Sequence, residues 1–366
     1  MKVVMSGGGT AGHVFPALAV AERLREAGHE VRFVGSATGQ ESSLVPAAGF
    51  GFTPVRVASA QTRLSLHTAK ALAMALAAAR VVRPLVLSAD VVVGIGGYAS
   101  APAILAARRS GTPILLIEQN TVPGLVNRIA ARWARVVATT FVATAARLPA
   151  STRVVRTGNP IRRQIAEVTS ARDERRKEAL RAFQLEGERM TVSVFGGSQG
   201  ARRLDQLVSA AIGELRDRGD VQLLVSTGPA HLDELTPAVG QAGRLLVRAV
   251  GFIERMDLAL AVSDLAIARS GSGTVSELAA CGVPSILVPY PHATEDHQEA
   301  NARELEREGA ADVMLEPALS AATLAERVVA LLADEPRRAS MAAAMREWAS
   351  PGADRAIAGL VEEVAA

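Results

Sequence analysis

Three observations in this sequence predict an α/β protein made of two Rossmann-like domains facing a cleft. Short β-branched runs alternate with longer Ala/Leu/Arg stretches almost throughout, the pattern of βαβ units on a parallel sheet. The opening Val3-Val4-Met5-Ser6-Gly7-Gly8-Gly9-Thr10-Ala11-Gly12 recurs in kind at Val192-Ser193-Val194-Phe195-Gly196-Gly197-Ser198-Gln199-Gly200, each a strand, a glycine loop and then a helix. The 366 residues are also more than one hydrophobic core usually serves. In such folds ligands bind between the halves, outside the carboxyl ends of the strands.

The elements follow in order. Val3–Met5 reads as a strand, and Pro16–Ala27 as a helix with proline in its first turn and Gly28 after its end. Val31–Val34, Thr53–Val57, Val91–Ile95, Ile114–Ile117 and Val136–Thr140 continue the first series. Thr191–Phe195, Gln222–Ser226, Leu245–Arg248, Leu265–Ala268 and Ser285–Val288 form the second. The boundary is expected near Gly158-Asn159-Pro160, giving domains of 1–160 and 161–340. Ser170–Phe183 is charge-rich and reads as a surface helix. From Pro336 the chain reads as two more helices, and the last, placed at 341–366, is expected to pack back on the first domain.

Composition narrows the class. Hydrophobic residues at 49% and charged residues at 21% suit a folded globular chain rather than a disordered one. A formal charge of +3 with 3% aromatics offers neither a basic stripe nor stacking platforms, so nucleic acid is not an expected partner. One cysteine, Cys281, excludes an internal disulfide and fits a reducing compartment. Between Arg83 and Arg108 Asp90 is the sole charge, but Gly94, Gly96, Gly97 and Pro102 break the stretch before it can span a bilayer.

A glycine loop at a helix start offers backbone N–H groups and the positive end of the helix dipole, which suits phosphate. Four such loops occur, at 8–13, 96–100, 196–200 and 270–274, enough for two separate diphosphates. Gly7 to Gly12 also matches the dinucleotide fingerprint G-x-G-x-x-G. A nicotinamide site, however, wants an acid at the end of the second strand, which here reads Phe33-Val34-Gly35-Ser36.

A longer series of motifs is more specific. Gly8-Gly9-Thr10-Ala11-Gly12-His13-Val14-Phe15-Pro16, Gly94-Ile95-Gly96-Gly97-Tyr98, Glu118-Gln119-Asn120, Gly158-Asn159-Pro160-Ile161-Arg162 and Gly196-Gly197-Ser198-Gln199-Gly200-Ala201 come first. Arg269-Ser270-Gly271, Thr274-Val275-Ser276-Glu277 and His297-Gln298-Glu299-Ala300-Asn301 follow in order. Together they resemble, over essentially the whole chain, the N-acetylglucosaminyltransferase family called MurG. The resemblance implies a GT-B fold and inverting transfer of N-acetylglucosamine from UDP-N-acetylglucosamine to the undecaprenyl-linked muramoyl-pentapeptide, within peptidoglycan synthesis. It also implies a peripheral enzyme on the cytoplasmic face of the cell membrane, with the acceptor on the amino-terminal domain and the donor on the carboxyl-terminal one. Ala11 stands where some members have glycine, and His297-Gln298 where some have paired glutamines.

The resemblance carries residues with it. Gly9, Gly96, Gly97, Tyr98, Glu118 and Asn127 are expected at the acceptor. Thr10, Ala11, Gly12, Asn120, Arg162, Ser198, Ile253, Ser272, Gly273, Thr274, Val275, Ser276, Glu277 and Gln298 are expected at the donor. Glu277 is expected to accept both ribose hydroxyls, against the plainer reading of a helix-dipole partner. His13, at a helix start beside the first glycine loop, is either the general base for the acceptor hydroxyl or an imidazole on the acceptor diphosphate. His29, His67, His231 and His292 have no such setting.

No Asp-x-Asp or His-x-x-His cluster is present, so no metal ligand and no cofactor is expected, with magnesium stimulation left open. Around 64–83, Arg63, Lys70, Arg80 and Arg83 border Leu66, Leu72, Met74, Leu76, Val81 and Val82. That pattern suits an anionic membrane surface or an ordinary packed helix. The competing readings are a GT-B enzyme with another acceptor, an NAD-binding oxidoreductase and a sugar-nucleotide-binding regulator.

Overall fold

The computed structural model describes residues 1–9, 11–58, 66–197, 201–228, 232 and 240–366. The expectations placed on Thr10, Arg63, Ser198 and His231 lie outside these residues. Two compact units result: Met1–Arg162 together with Ser350–Ala366, and Arg163–Ala349.

The first unit carries a seven-stranded sheet of β1 (Lys2–Ser6), β2 (Glu30–Ser36), β3 (Gly51–Val55), β4 (Val91–Gly94), β5 (Ile114–Glu118), β6 (Val136–Thr139) and β7 (Val154–Arg156). Its order is β3-β2-β1-β4-β5-β6-β7, and every pairing is parallel. Successive side chains on a strand point to opposite faces, and both faces are covered, so the strands are apolar throughout. Val3, Met5, Val93, Leu115 and Ile117 pack beneath helix Ala11–Glu26 and the carboxyl-terminal helix. Val4, Val92, Leu116 and Val137 pack on the other face beneath Ala79, Val82, Ile104 and Ala107.

The first helix begins at Ala11, not at Pro16, which lies inside it. Proline forgoes one bond there, to the carbonyl of Gly12, and burial of Val14, Ala17, Leu18 and Ala21 against the sheet offsets that loss. The chain ends in two helices, and the last begins at Ala353, not at 341. Glu335–Trp348 belongs to the second unit, and Ala353–Ala365 packs on Ala11–Glu26 in the first. Arg23 to Asp354 at 2.5 Å, His29 to Glu362 at 2.9 Å and Arg153 to Glu363 fasten the latter.

The second unit repeats the plan with β8 (Met190–Phe195), β9 (Val221–Ser226), β10 (Gly240–Ala242), β11 (Leu245–Val250), β12 (Leu265–Ala268), β13 (Ser285–Leu287) and β14 (Ala311–Val313). The order is β10-β11-β9-β8-β12-β13-β14, and β10 with β11 is the antiparallel pair. Val192, Val194, Leu223, Val225 and Ile267 meet the helices Arg202–Leu215 and Ala321–Ala333 in one core. The charged helix Arg172–Ala182 lies at the surface yet is clamped, because Arg175 pairs with buried Asp257 and Arg176 with Asp264. In both sheets the order reverses beside the first strand, at β1/β4 and at β8/β12, and the glycine loops leave those strands.

Candidate functional sites on the two units

In the first unit Gly7, Gly8 and Gly9 all have positive φ, at 151°, 148° and 99°. The loop after β4 lies against them backbone to backbone. A Cβ on Gly7 would stand 2.9 Å from the Gly96 carbonyl, and one on Gly97 2.9 Å from the Gly8 carbonyl. A Cβ on Gly96 would lie 3.3 Å from Asn127 Nδ2 and 3.9 Å from His13 Cδ2, so these three residues come together. His13 is half-buried in the first turn of its helix, Gly12 beside it is exposed, and Tyr98 is half-buried at the head of a short 3₁₀ turn. The Ser100 hydroxyl closes that turn onto the Gly97 carbonyl at 2.8 Å.

Glu118 ends β5 and is 4% exposed. Its Oε1 accepts from the Asn120 amide at 3.0 Å, and its Oε2 from the Gly124 amide at 3.1 Å and Asn127 Nδ2 at 2.9 Å. Desolvation pushes its carboxyl above the usual carboxylate value, and these hydrogen bonds pull the other way. Glu118 therefore orders the 118–127 loop from beneath. Asn127 also donates to the Ile117 carbonyl at 3.0 Å, while its Oδ1 finds no partner among the described residues. The Arg162 guanidinium lies 5.1 Å from the Phe15 ring centre, two residues beyond His13.

Sequence reasoning missed Glu41. Its carboxylate, 1% exposed, accepts from the Gly9 and Ser36 amides at 2.7 Å each. β2 ends at Ser36 without an acid, as the sequence indicates, and Glu41, at the start of the next helix, is buried with its carboxylate held by these two amides. An alternating pattern gives no hint of this, because Glu41 opens a seven-residue helix in an otherwise polar stretch. Gln119 Nε2 and Thr140 Oγ1, each just past the end of β5 or β6, are likewise buried without partners among the described residues.

In the second unit helix Ser272–Cys281 starts at Gly271 with no side-chain cap. Nothing lies within 4 Å of where a Cβ on Gly271 or Gly273 would stand, so the helix start is open. Gly273, Thr274 and Glu277 are half-buried on one stripe of this helix. The helix begins earlier than the loop motif implies, which puts Glu277 in its second turn. Val275 and Ile253 are buried, at 0% and 3% exposure. Ser276 Oγ is buried without a partner among the described residues.

Gln298 is tied in twice. Its carbonyl accepts from the Ser270 hydroxyl at 2.8 Å, and its Oε1 accepts from the Tyr290 amide at 3.0 Å. Arg269 is committed as well, to Glu316 at 2.5 Å and to the Val288 and Pro289 carbonyls. Before His297, both Glu295 and Asp296 hold φ of 52°, a left-handed pair without glycine that no sequence pattern announced. His297 bonds the Thr294 carbonyl through Nδ1 at 2.8 Å. Burial pushes the Cys281 thiol up to about 12, so it is no nucleophile. Among the described residues no group of three or more His, Cys, Asp or Glu could hold a metal ion.

Comparison with known proteins assigns a family to each part of the chain. Residues 3–139 match the glycosyltransferase family 28 N-terminal domain, and 191–356 its C-terminal domain. The UDP-N-acetylglucosamine--N-acetylmuramyl-(pentapeptide) pyrophosphoryl-undecaprenol N-acetylglucosamine transferase of Halorhodospira halophila is 41% identical over 99% of this chain and 98% of its own. The enzyme of the same name from Desulforudis audaxviator is 37% identical over 100% of this chain and 99% of its own. The crystal structure of Acinetobacter baumannii MurG aligns with a TM-score of 0.80 at 30% identity, covering 99% of each chain.

Proposed function

This chain belongs to the MurG family of N-acetylglucosaminyltransferases, and on that premise we propose that it moves N-acetylglucosamine from UDP-N-acetylglucosamine to a muramoyl-pentapeptide lipid diphosphate. The sugar goes to the C4 hydroxyl with inversion, giving the β-1,4-linked disaccharide lipid precursor of peptidoglycan. The observation that carries the donor half is the uncapped start of Ser272–Cys281, with open space over Gly271 and Gly273 and Glu277 on the same half-buried stripe. First-turn amides suit a diphosphate, and their dipole stabilises the UDP that leaves, with no cation required. Glu277 then accepts the two ribose hydroxyls, the Ile253 backbone meets the uracil, and the Gln298 side chain, held by the Tyr290 amide, faces the sugar.

On the first unit His13, Gly96 and Asn127 form the acceptor end. His13 takes the proton of the attacking hydroxyl as general base, a role worth about 10²–10⁴ in rate. Asn120, whose amide Glu118 fixes, and Arg162, stacked on Phe15, complete the set that contacts the donor.

The enzyme works as a peripheral protein at the cytoplasmic face of the membrane. Helix Leu66–Leu87 buries Ala71, Ala75, Ala78, Ala79, Val82 and Val86, but Leu72 and Val81 are 57% and 69% exposed beside Lys70, Arg80 and Arg83. An ordinary packed helix would bury its large apolar residues first, so this outward mixture favours docking on anionic lipid. None of the described helices is long and apolar enough to cross a membrane.

Donor choice tests the proposal. At fixed acceptor, UDP-N-acetylglucosamine should outperform its C4 epimer, UDP-N-acetylgalactosamine, by about 10² or more in kcat/KM, because buried amides left unpaired penalise the wrong hydroxyl. Equal rates with both donors would overturn the sugar assignment.

A further inference from the structure

We propose that Glu41 is a positioning residue for acceptor binding, acting through the Gly7–Gly9 loop; this rests on the transfer reading above. A glycine loop that binds phosphate keeps its amides for the ligand. Here the Gly9 amide donates to Glu41 at 2.7 Å, so this loop carries its own built-in anion. The same carboxylate holds the Ser36 amide at 2.7 Å, tying the end of β2 to the turn that leaves β1.

The socket around it is made of glycine. A Cβ on Gly8, Gly35 or Gly39 would collide with Glu41 side-chain atoms. Such a fit fixes the carboxylate, and the carboxylate fixes the turn. Because Gly7 and Gly8 lie against Gly96 and Gly97 backbone to backbone, and Gly96 lies beside Asn127 and His13, a shift at Gly9 is passed to the acceptor end. Glu41 itself, 1% exposed, reaches no ligand. The acceptor diphosphate is consequently left to amides beyond Gly9, at the start of Ala11–Glu26.

Four variants test this in the full chain, by steady-state kinetics with a short-chain muramoyl-pentapeptide lipid diphosphate. Glu41→Gln keeps the size but turns one acceptor into a donor facing an amide. Gly39→Ala keeps the Glu41 carboxylate but crowds its Oε2, the oxygen that accepts from the Gly9 amide. Both should raise the acceptor KM about tenfold or more, with the donor KM within about twofold of the parent. In the Glu41→Ala background, adding Gly39→Ala should cost nothing further, because its target is gone.

A merely structural role would instead lower the melting temperature and kcat while leaving the acceptor KM alone, and that result overturns the proposal. So does additivity of Gly39→Ala with Glu41→Ala. If Glu41→Gln does not fold, Gly39→Ala decides. Parent enzyme that fails to transfer at all refutes the transfer reading instead, so the two failures are distinguishable.

Discussion

Replacing Glu118 by alanine tests how the acceptor loop is held. The donors that lose this acceptor include the Asn120 amide, the Gly124 amide and Asn127 Nδ2. Asn127 keeps its bond to the Ile117 carbonyl, so the loss falls on about two backbone amides of the loop. Each such group costs roughly 1–3 kcal/mol, which gives roughly 2–6 kcal/mol. Removing a desolvated carboxylate gives part of that back, for a net loss of about 2–4 kcal/mol in the first unit. Urea unfolding followed by Trp133 fluorescence, in a Trp348→Phe background, reports that unit alone.

The same residue predicts a pH dependence. Its folded-state carboxyl titrates above its ordinary value of 4.5, chiefly through desolvation. The folded state therefore binds this proton more tightly than the unfolded chain does. That contribution is fully present below about pH 4.5 and is lost as pH rises through the folded value. The stability difference between parent and Glu118→Gln should consequently fall with pH above about 4.5. A loss under about 1 kcal/mol in Glu118→Ala, with unchanged acceptor KM, would refute the reasoning.

Other perturbations address the remaining assignments. Glu277→Ala should weaken UDP binding about ten- to hundredfold by calorimetry, from charge-assisted bonds of about 1.5–3 kcal/mol, with acceptor saturation nearly unchanged. Unaltered UDP affinity would sink the ribose role. His13→Ala should lower turnover by about 10²–10⁴ with binding largely kept, and activity of the parent should fall as pH drops through the histidine's titration. His13→Arg with near-parent turnover at saturating acceptor would instead make this residue a diphosphate ligand. Changing Lys70, Arg80 and Arg83 together to Glu should release the protein from anionic vesicles, at about 1 kcal/mol per basic residue, with little loss on a soluble acceptor. Equal vesicle binding would remove this helix from the docking face.

Much of the fold was legible because periodicity and glycine punctuation are strong signals. Leu265–Ala268 was bounded to the residue, and the duplicated strand–loop–helix openings became the two switch points. Short edge strands were not legible. Val154–Arg156, Gly240–Ala242 and Ala311–Val313 are three residues each, too few to show alternation. Pro16 misled the helix start, since a first-turn proline and one absorbed a turn later look alike in sequence. At the site, residue identity came from motifs, but side-chain commitment did not. Nothing in Glu118-Gln119-Asn120 says that the glutamate spends itself on its own loop. Nothing in Gly8-Gly9 says that a carboxylate thirty-two residues away occupies the Gly9 amide.

Transfer between two chemically defined partners is measured in one incubation. Purified protein is mixed with radiolabelled UDP-N-acetylglucosamine and a short-chain muramoyl-pentapeptide lipid diphosphate, and lipid-soluble label is measured against released UDP. Label should enter the lipid one-for-one with UDP, in a β-1,4 linkage, with no transfer to a lipid diphosphate lacking the muramoyl sugar. UDP-N-acetylglucosamine bound without any label reaching the lipid, or equal transfer to the acceptor lacking that sugar, would contradict the proposed transfer.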